Sequence, residues 1–240
     1  MNTPTYLLEA SPLSENRLRE AWELLVQRLV RQHILRSKEV IEAFRRAPRY
    51  NFLPEELRQY AAIDEPIPIG YGQTVSAPHM VAIMDEELEL KVGQKVLEVG
   101  AGSGWHAATV AELVAPTDQP KESWGHVYTI EIVPELAQMA KINIEKNGYS
   151  DRVTVIEGDG SLGYEEKAPY DRILVTAAAP EVPKPLIQQL KTGGILLIPV
   201  GAIRFYQTLI KVRKEDGIRM EDLGGVAFVP LRGKYGHKML

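Results

Sequence analysis

The 240-residue chain contains no cysteine. Disulfides and thiolate metal ligands are therefore excluded, and a disulfide-stapled scaffold with them. Histidine is scarce: there are five, scattered, with no H-x-x-x-H pair, so no metal site is expected. No apolar run approaches the ~18 residues of a membrane span. A positive excess is also missing. Lysine and arginine number 28 against 32 aspartates and glutamates, a formal net charge of −4. Non-specific binding to nucleic acid needs a basic face, so no nucleic-acid partner is expected. Met1 to Glu15 lacks the charged and apolar regions of a signal peptide. Together these absences predict a cytoplasmic protein with neither membrane nor nucleic acid as partner.

What is present is a core and one organising stretch. Hydrophobic residues make up 45% of the chain, enough for one large domain. Val96, Leu97 and Val99 open an extended apolar run, which turns through Gly100, Gly102 and Gly104 and resumes as an alanine-rich helix from Trp105. Strand, glycine turn and helix form the first unit of a nucleotide-binding α/β fold. The spacing is G-x-G-x-G rather than the dinucleotide pattern G-x-G-x-x-G, and Trp105 stands where the last glycine of that pattern belongs. Glu98 lies two residues before the first glycine. A carboxylate there repels a pyrophosphate but attracts a cation, which suits S-adenosylmethionine with its sulfonium and ammonium.

Ahead of this unit, Ser14 is predicted to cap a helix running to about Arg36, with Leu18, Trp22, Leu25, Leu29 and His33 on one face. Ser37 caps a second helix that Pro48 ends. Residues 61–79 hold too many prolines and glycines for regular structure, and lead into a helix from Ala77 capped by Thr74 or Ser76. Behind the glycine turn, strands are predicted at His126–Glu131, Val153–Ile156, Asp171–Val175, Ile195–Val200, Gln207–Arg213 and Gly225–Leu231. Glu131 ends the second strand of the fold, where such folds place an acid for the ribose hydroxyls. Asp159, between Gly158 and Gly160, can reach an adenine amino group. The small residues Thr176 to Ala179 leave room for a substrate at the carboxyl edge of the sheet. Asn147-Gly148 ends a helix and is also a pair prone to succinimide formation.

Three places resemble one family. Gly70-Tyr-Gly-Gln-Thr-Val-Ser-Ala-Pro-His79, Glu98-Val-Gly-Ala-Gly-Ser-Gly104, and the blocks Tyr170–Pro180, Pro199–Gly201 and Val226–Leu231 are similar to those of protein-L-isoaspartate O-methyltransferases. The first block names the substrate. The resemblance implies a class I methyltransferase: a doubly wound, mostly parallel Rossmann-like sheet with an antiparallel C-terminal strand and an N-terminal helical appendage. Residues 1–90 carry the helices and the active-site loop, residues 91–240 bind the cofactor, and the two function as one domain. It implies a protein carboxyl O-methyltransferase that methylates the free carboxylate of L-isoaspartyl residues in damaged proteins and starts their repair through a succinimide. The donor is S-adenosyl-L-methionine and the product S-adenosyl-L-homocysteine, without a metal. Ser76 is the implied active-site residue. Thr74, Val75 and Ser76 line the methyl end of the cofactor, Ser103 its amino-acid end, Glu131 and Ile132 the ribose, and Asp159 and Gly160 the adenine. Glu98, Gly100 and Gly102 complete the cofactor site, and Ser76, His79, Thr176 and Ala177 receive the acceptor. Arg232 and His237 occupy tail positions near the cofactor. A monomer or weak homo-oligomer is expected. The alternatives are a class I methyltransferase acting on tRNA or a small molecule, and a non-catalytic cofactor-binding module.

Overall fold

The computed structural model describes residues 13–203 and 206–238. Two helices come first: α1 (Glu15–Arg31) and α2 (Lys38–Arg46). A two-stranded antiparallel hairpin, β1 (Ile67–Gly70) and β2 (Gln73–Val75), precedes α3 (Pro78–Glu87). The α/β body then runs β3 (Lys95–Val99), α4 (Trp105–Val114), β4 (His126–Glu131), α5 (Pro134–Lys146), β5 (Val153–Glu157), β6 (Tyr170–Val175), α6 (Lys184–Gln189), β7 (Leu190–Gly201), β8 (Gln207–Lys214) and β9 (Ile218–Val226). Its seven strands lie in the order β5-β4-β3-β6-β7-β8-β9. β5 to β7 are parallel, and β8 and β9 are antiparallel. The chain reverses its direction of winding between β3 and β6. The crevice beyond the carboxyl ends of those strands is where open α/β sheets bind ligands.

The parallel strands read as near-continuous apolar runs because both faces are covered. Leu97, Val99, Ile173 and Val175 feed one core, while Val96 and Leu174 face the other with the N-terminal helices. The second core centres on aromatic rings. Trp105 lies 5.8 Å from both Trp22 and Phe44, and its indole N–H donates to the Ala47 carbonyl at 2.8 Å. The large residue in the place of the third glycine therefore bolts α1 and α2 to the start of α4. Losing such a buried ring costs about 3–5 kcal/mol.

Four sequence expectations change. α1 stops at Arg31 instead of Arg36, because His33 turns left-handed (φ 57°) and is exposed rather than on the apolar face. The stretch 61–79 is not wholly irregular: Gly70, Tyr71 and Gly72 all take positive φ and close the hairpin. The strand expected at Ile195–Val200 begins at Leu190 and runs to Gly201, so Gly193 and Gly194 belong to β7. The last strand is Ile218–Val226 rather than Gly225–Leu231. Beyond Val226 the chain leaves β8 and docks on Ala178, which donates to Val229 O and accepts from Leu231 N, both at 2.8 Å. Among the described residues no helix is long and apolar enough to cross a membrane, and no group of three or more His, Cys, Asp or Glu could hold a metal ion.

Candidate active site

The glycine turn after β3 builds one wall of a cleft. Gly100, Gly102 and Gly104 have φ of 102°, 52° and 84°, a region that side chains with a Cβ avoid. A Cβ on Gly100 would lie 2.3 Å from Thr176 Oγ1, and one on Gly160 2.5 Å from Val99 Cγ1. The turn is tied to β4: Gly100 and Ala101 donate to Ile130 O, and Gly102 N–H donates to Glu131 Oε2 at 2.9 Å. Glu131 Oε1 accepts from Val133 N–H, so the carboxylate is fixed at the cleft edge beside Ile132. Thr176, Ala177 and the segment Val229–Arg232 close the other side.

The opposing wall comes from the hairpin and the start of α3. Its anchor is Arg49, an arginine with no exposed surface. The guanidinium donates to the carbonyls of Ala61 (2.9 Å), Ile63 (2.5 Å), Glu65 (3.0 Å), Ser76 (3.0 Å) and Tyr60 (3.5 Å), and it stacks over the Trp105 ring at 5.6 Å. Burial pulls its pKa down to about 9, with Asp64 opposing, so it remains a cation at neutral pH. Ser76 is therefore not a helix cap. Ala77 occupies the N-cap and Pro78 the first turn, and the Ser76 carbonyl is clasped by Arg49.

A second cleft of about 510 Å³ opens beside the first and is lined by Ser76, Ala77, His79, Met80, Tyr206 and Val226–Val229. Thr74 and Thr176 line both clefts. Ser76 also borders a small cavity of about 30 Å³ that reaches Val75, Gly100, Gly102 and Ser103. His79, at the rim of the second cleft, holds Asp64 through its Nδ1 at 2.9 Å and its backbone N–H at 2.8 Å. The bond to Asp64 raises the His79 pKa against the opposing effect of burial. Burial alone would raise Asp64, yet its bonds to His79 hold it below the usual carboxylate value.

Most of the residues singled out in the sequence thus come together: Thr74, Val75, Ser76, His79, Gly100, Gly102, Ser103, Glu131, Ile132, Gly160, Thr176 and Ala177. Two behave differently. Glu98 lines neither cleft; strand alternation points it beneath the turn, where it is fully buried and accepts from Thr129 Oγ1 at 2.5 Å. The Asp159 carboxylate is spent locally, accepting from Ser161 N–H and Oγ–H and from Lys234 N–H at 2.8 Å. In the tail, Arg232 lines the first cleft and donates to Tyr71 O at 3.5 Å, while His237 donates its backbone N–H to Leu231 O. The sequence reading missed Arg49, Tyr206 and the pair Asp85–His106. A lone arginine inside the aromatic run Arg49-Tyr-Asn-Phe52 was the available signal for the first.

Residues 20–236 match the family described as protein-L-isoaspartate(D-aspartate) O-methyltransferase. The chain is 58% identical over 223 residues to a protein-L-isoaspartate O-methyltransferase of Hyperthermus butylicus, covering 92% of each. It is 52% identical to one from Thermococcus sibiricus, covering 93% of this chain and 99% of the relative. Among solved structures, a β-aspartate methyltransferase of Plasmodium falciparum in complex with S-adenosyl-L-homocysteine superposes with a TM-score of 0.76 at 27% identity, covering 88% of this chain and 98% of that one.

Proposed function

We infer the working of the site from one premise: the chain belongs to the protein-L-isoaspartate(D-aspartate) O-methyltransferase family. It transfers the methyl group of S-adenosyl-L-methionine to the free carboxylate of L-isoaspartyl residues, the step that begins repair of damaged protein. The residues fit that donor. Gly100 and Gly160 let the cleft wall pack against Thr176 and Val99, where a Cβ would clash, and the buried Ser103 hydroxyl has no protein partner. When bound, the donor supplies an electrophilic methyl on a positively charged sulfur.

What this chain contributes is placement. An acceptor carboxylate is already ionised near neutral pH, so no side chain needs to take its proton. Ser76 orients that carboxylate by hydrogen bond rather than attacking as a nucleophile. His79, whose charged form Asp64 favours, draws the acceptor into the second cleft, with Thr176 on its wall and Ala177 in the adjoining donor cleft. Glu131 and Ile132 hold the ribose, Ser103 the amino-acid end, and Gly160 the face of the adenine. Held alignment of this kind contributes up to about 7–11 kcal/mol to such a reaction. Residues 1–90 and 91–240 act as one unit, because Ser76 from the first completes the cleft of the second. Action on protein rather than nucleic acid is supported by the acidic charge balance. A cytoplasmic location and a monomeric or weakly associated state complete the proposal.

The observation that carries this reading is the shared lining: Thr74 and Thr176 border both the glycine-walled cleft and the cleft of Ser76 and His79. Donor and acceptor can therefore meet there. The test is labelled methyl transfer to an isoaspartyl peptide and to its aspartyl twin. Label is expected on the first alone; equal labelling would contradict the acceptor assignment.

A further inference from the structure

The second cleft is larger than one acceptor carboxylate needs. At about 510 Å³ it has the size of sites that enclose a whole small molecule. Thr74, Ser76, His79 and Thr176 supply its polar lining, and the rest is mainly apolar: Pro66, Met80, Val226, Phe228 and the ring of Tyr206. Among the described lining residues, His79 alone can carry a charge near neutral pH. Tyr206 stands out because it is 76% exposed, the highest value among the described large hydrophobic side chains. A lone exposed apolar residue is ordinary on an open surface. This one lines a cleft and is held there by its neighbours. Gly225, opposite Thr208 in the β8–β9 ladder, has no left-handed φ that would call for a glycine. A Cβ on it would lie 3.0 Å from Tyr206 Cε2 and Oη and 3.1 Å from Cζ, so the missing side chain makes room for the ring. The next residue, Gln207, clasps the wall segment: its carboxamide accepts from Phe228 N–H at 2.6 Å and donates to Phe228 O at 3.1 Å. Ring and wall are therefore fixed to one another.

We propose that Tyr206 is a specificity-determining residue, whose open ring receives an aliphatic or aromatic side chain flanking the isoaspartyl residue in the acceptor chain. The proposal rests on the acceptor reading above and adds a ranking of damaged sites by their neighbours. The occupant follows from continuity. Ser76 and His79 line the same cleft as the ring, so a chain whose carboxylate lies at Ser76 brings an adjoining residue within its reach. The chemistry of that residue follows from the lining. A carboxylate or ammonium carried against Met80, Val226 and Phe228 would lose water without gaining a partner of opposite charge. An apolar side chain gains by leaving water, and one with a ring also gains an offset or edge contact with the tyrosine. A tyrosine suits this task because it offers a large contact area and loses little rotamer freedom on binding. The contact is remote from the reacting atoms and is made equally in the ground and transition states. It therefore acts on KM and leaves kcat to Ser76 and the donor.

The test uses isoaspartyl peptides that carry phenylalanine, leucine, lysine or serine, one at a time, at the two positions on either side of the isoaspartyl residue. At one of these positions the phenylalanine and leucine peptides should have a KM about tenfold below that of the serine peptide, with kcat alike. Tyr206→Ala should bring those KM values to within about twofold of one another, and Tyr206→Phe should keep them apart. Donor Kd by calorimetry should stay within about twofold in both variants, which shows that they are folded, since Tyr206 does not line the donor cleft. A KM indifferent to the neighbour at every position would overturn the proposal. So would a preference for lysine over phenylalanine, or an apolar preference that persists in Tyr206→Ala. If the unmodified protein methylates none of the isoaspartyl peptides, the acceptor reading falls and takes this proposal with it, a result distinct from methylation without preference.

Discussion

The turn Gly100–Gly104 and the segment Asp64–Ser76 face one another across the site, yet they are held in place by different means. The turn is fixed locally. Its glycines take the backbone where other residues resist going, and it is pinned by β4 next door, through Ile130 O and the Glu131 carboxylate. The acceptor segment has its hairpin but little other regular structure; its Glu65 and Ser76 carbonyls, with those of Tyr60, Ala61 and Ile63 just ahead of it, converge on a side chain 11 to 27 residues earlier. A buried arginine supplies five N–H donors in a rigid fork, which matches the number of carbonyls it meets. The comparison teaches that a donor site can be encoded as a local motif, whereas an acceptor site of this kind is encoded as a distant clasp.

The strongest way to break the contrast is to remove the clasp. Arg49→Met leaves buried carbonyls without donors and is expected to lower stability by about 3–5 kcal/mol, read from chemical denaturation. Ser76→Ala sharpens it from the functional side. Turnover should fall about 10²-fold, the scale of a misplaced reacting group, with donor Kd by calorimetry within about twofold. Gly100→Ala attacks the turn instead. The positive φ and the encounter with Thr176 should cost about 1–3 kcal/mol and weaken donor binding, leaving acceptor recognition less affected.

A subtler probe is pH. His79 has a raised pKa, so its charge is present below the ordinary imidazole value and is lost as pH rises through the raised one. Asp64 has a lowered pKa, so its share of the pair is lost only as pH falls through that lowered value. The acceptor KM should therefore climb as His79 deprotonates. Asp64→Asn should move that climb to lower pH, towards about 6.5, which NMR titration of the His79 ring would follow. The smallest effect concerns Asn147. Its carboxamide donates to Asn51 O and Asn143 O, and the Gly148 N–H that must attack it is bonded to Glu145 O. Succinimide formation at this pair should be slower in the folded chain than in a peptide of the same sequence, measured by mass spectrometry after heating.

The legibility of the chain follows the same division. The α/β body, the helix that Asn147-Gly148 ends and the glycine turn could be read because each depends on apolar periodicity or backbone freedom within a few residues. The hairpin in 61–79 was hidden by the glycines that make its turn possible. Segment 226–231 alternates like a strand, yet beyond Val226 its backbone bonds to the Gln207 side chain through Phe228 and to Ala178 through Val229 and Leu231, so its pattern reflects burial without a continuous ladder. Glu98 and Asp159 were recognised as acids in the right order along the chain. Where their oxygens point depends on Thr129, Ser161 and the backbone of Lys234, partners that lie on other elements or, for Ser161, in the same turn. Arg49 was the hardest to read, since all its hydrogen-bond acceptors are backbone carbonyls and leave no trace in side-chain identity.

Arg49→Lys tests the division most directly, because it keeps the charge and removes the fork. Donor Kd by calorimetry and kcat/KM for an isoaspartyl peptide should be measured on the same preparation. Independent holding of the two walls requires kcat/KM to fall at least about tenfold while donor Kd stays within about twofold. If both constants worsen together, or neither moves, the two walls are not held separately and the account is contradicted.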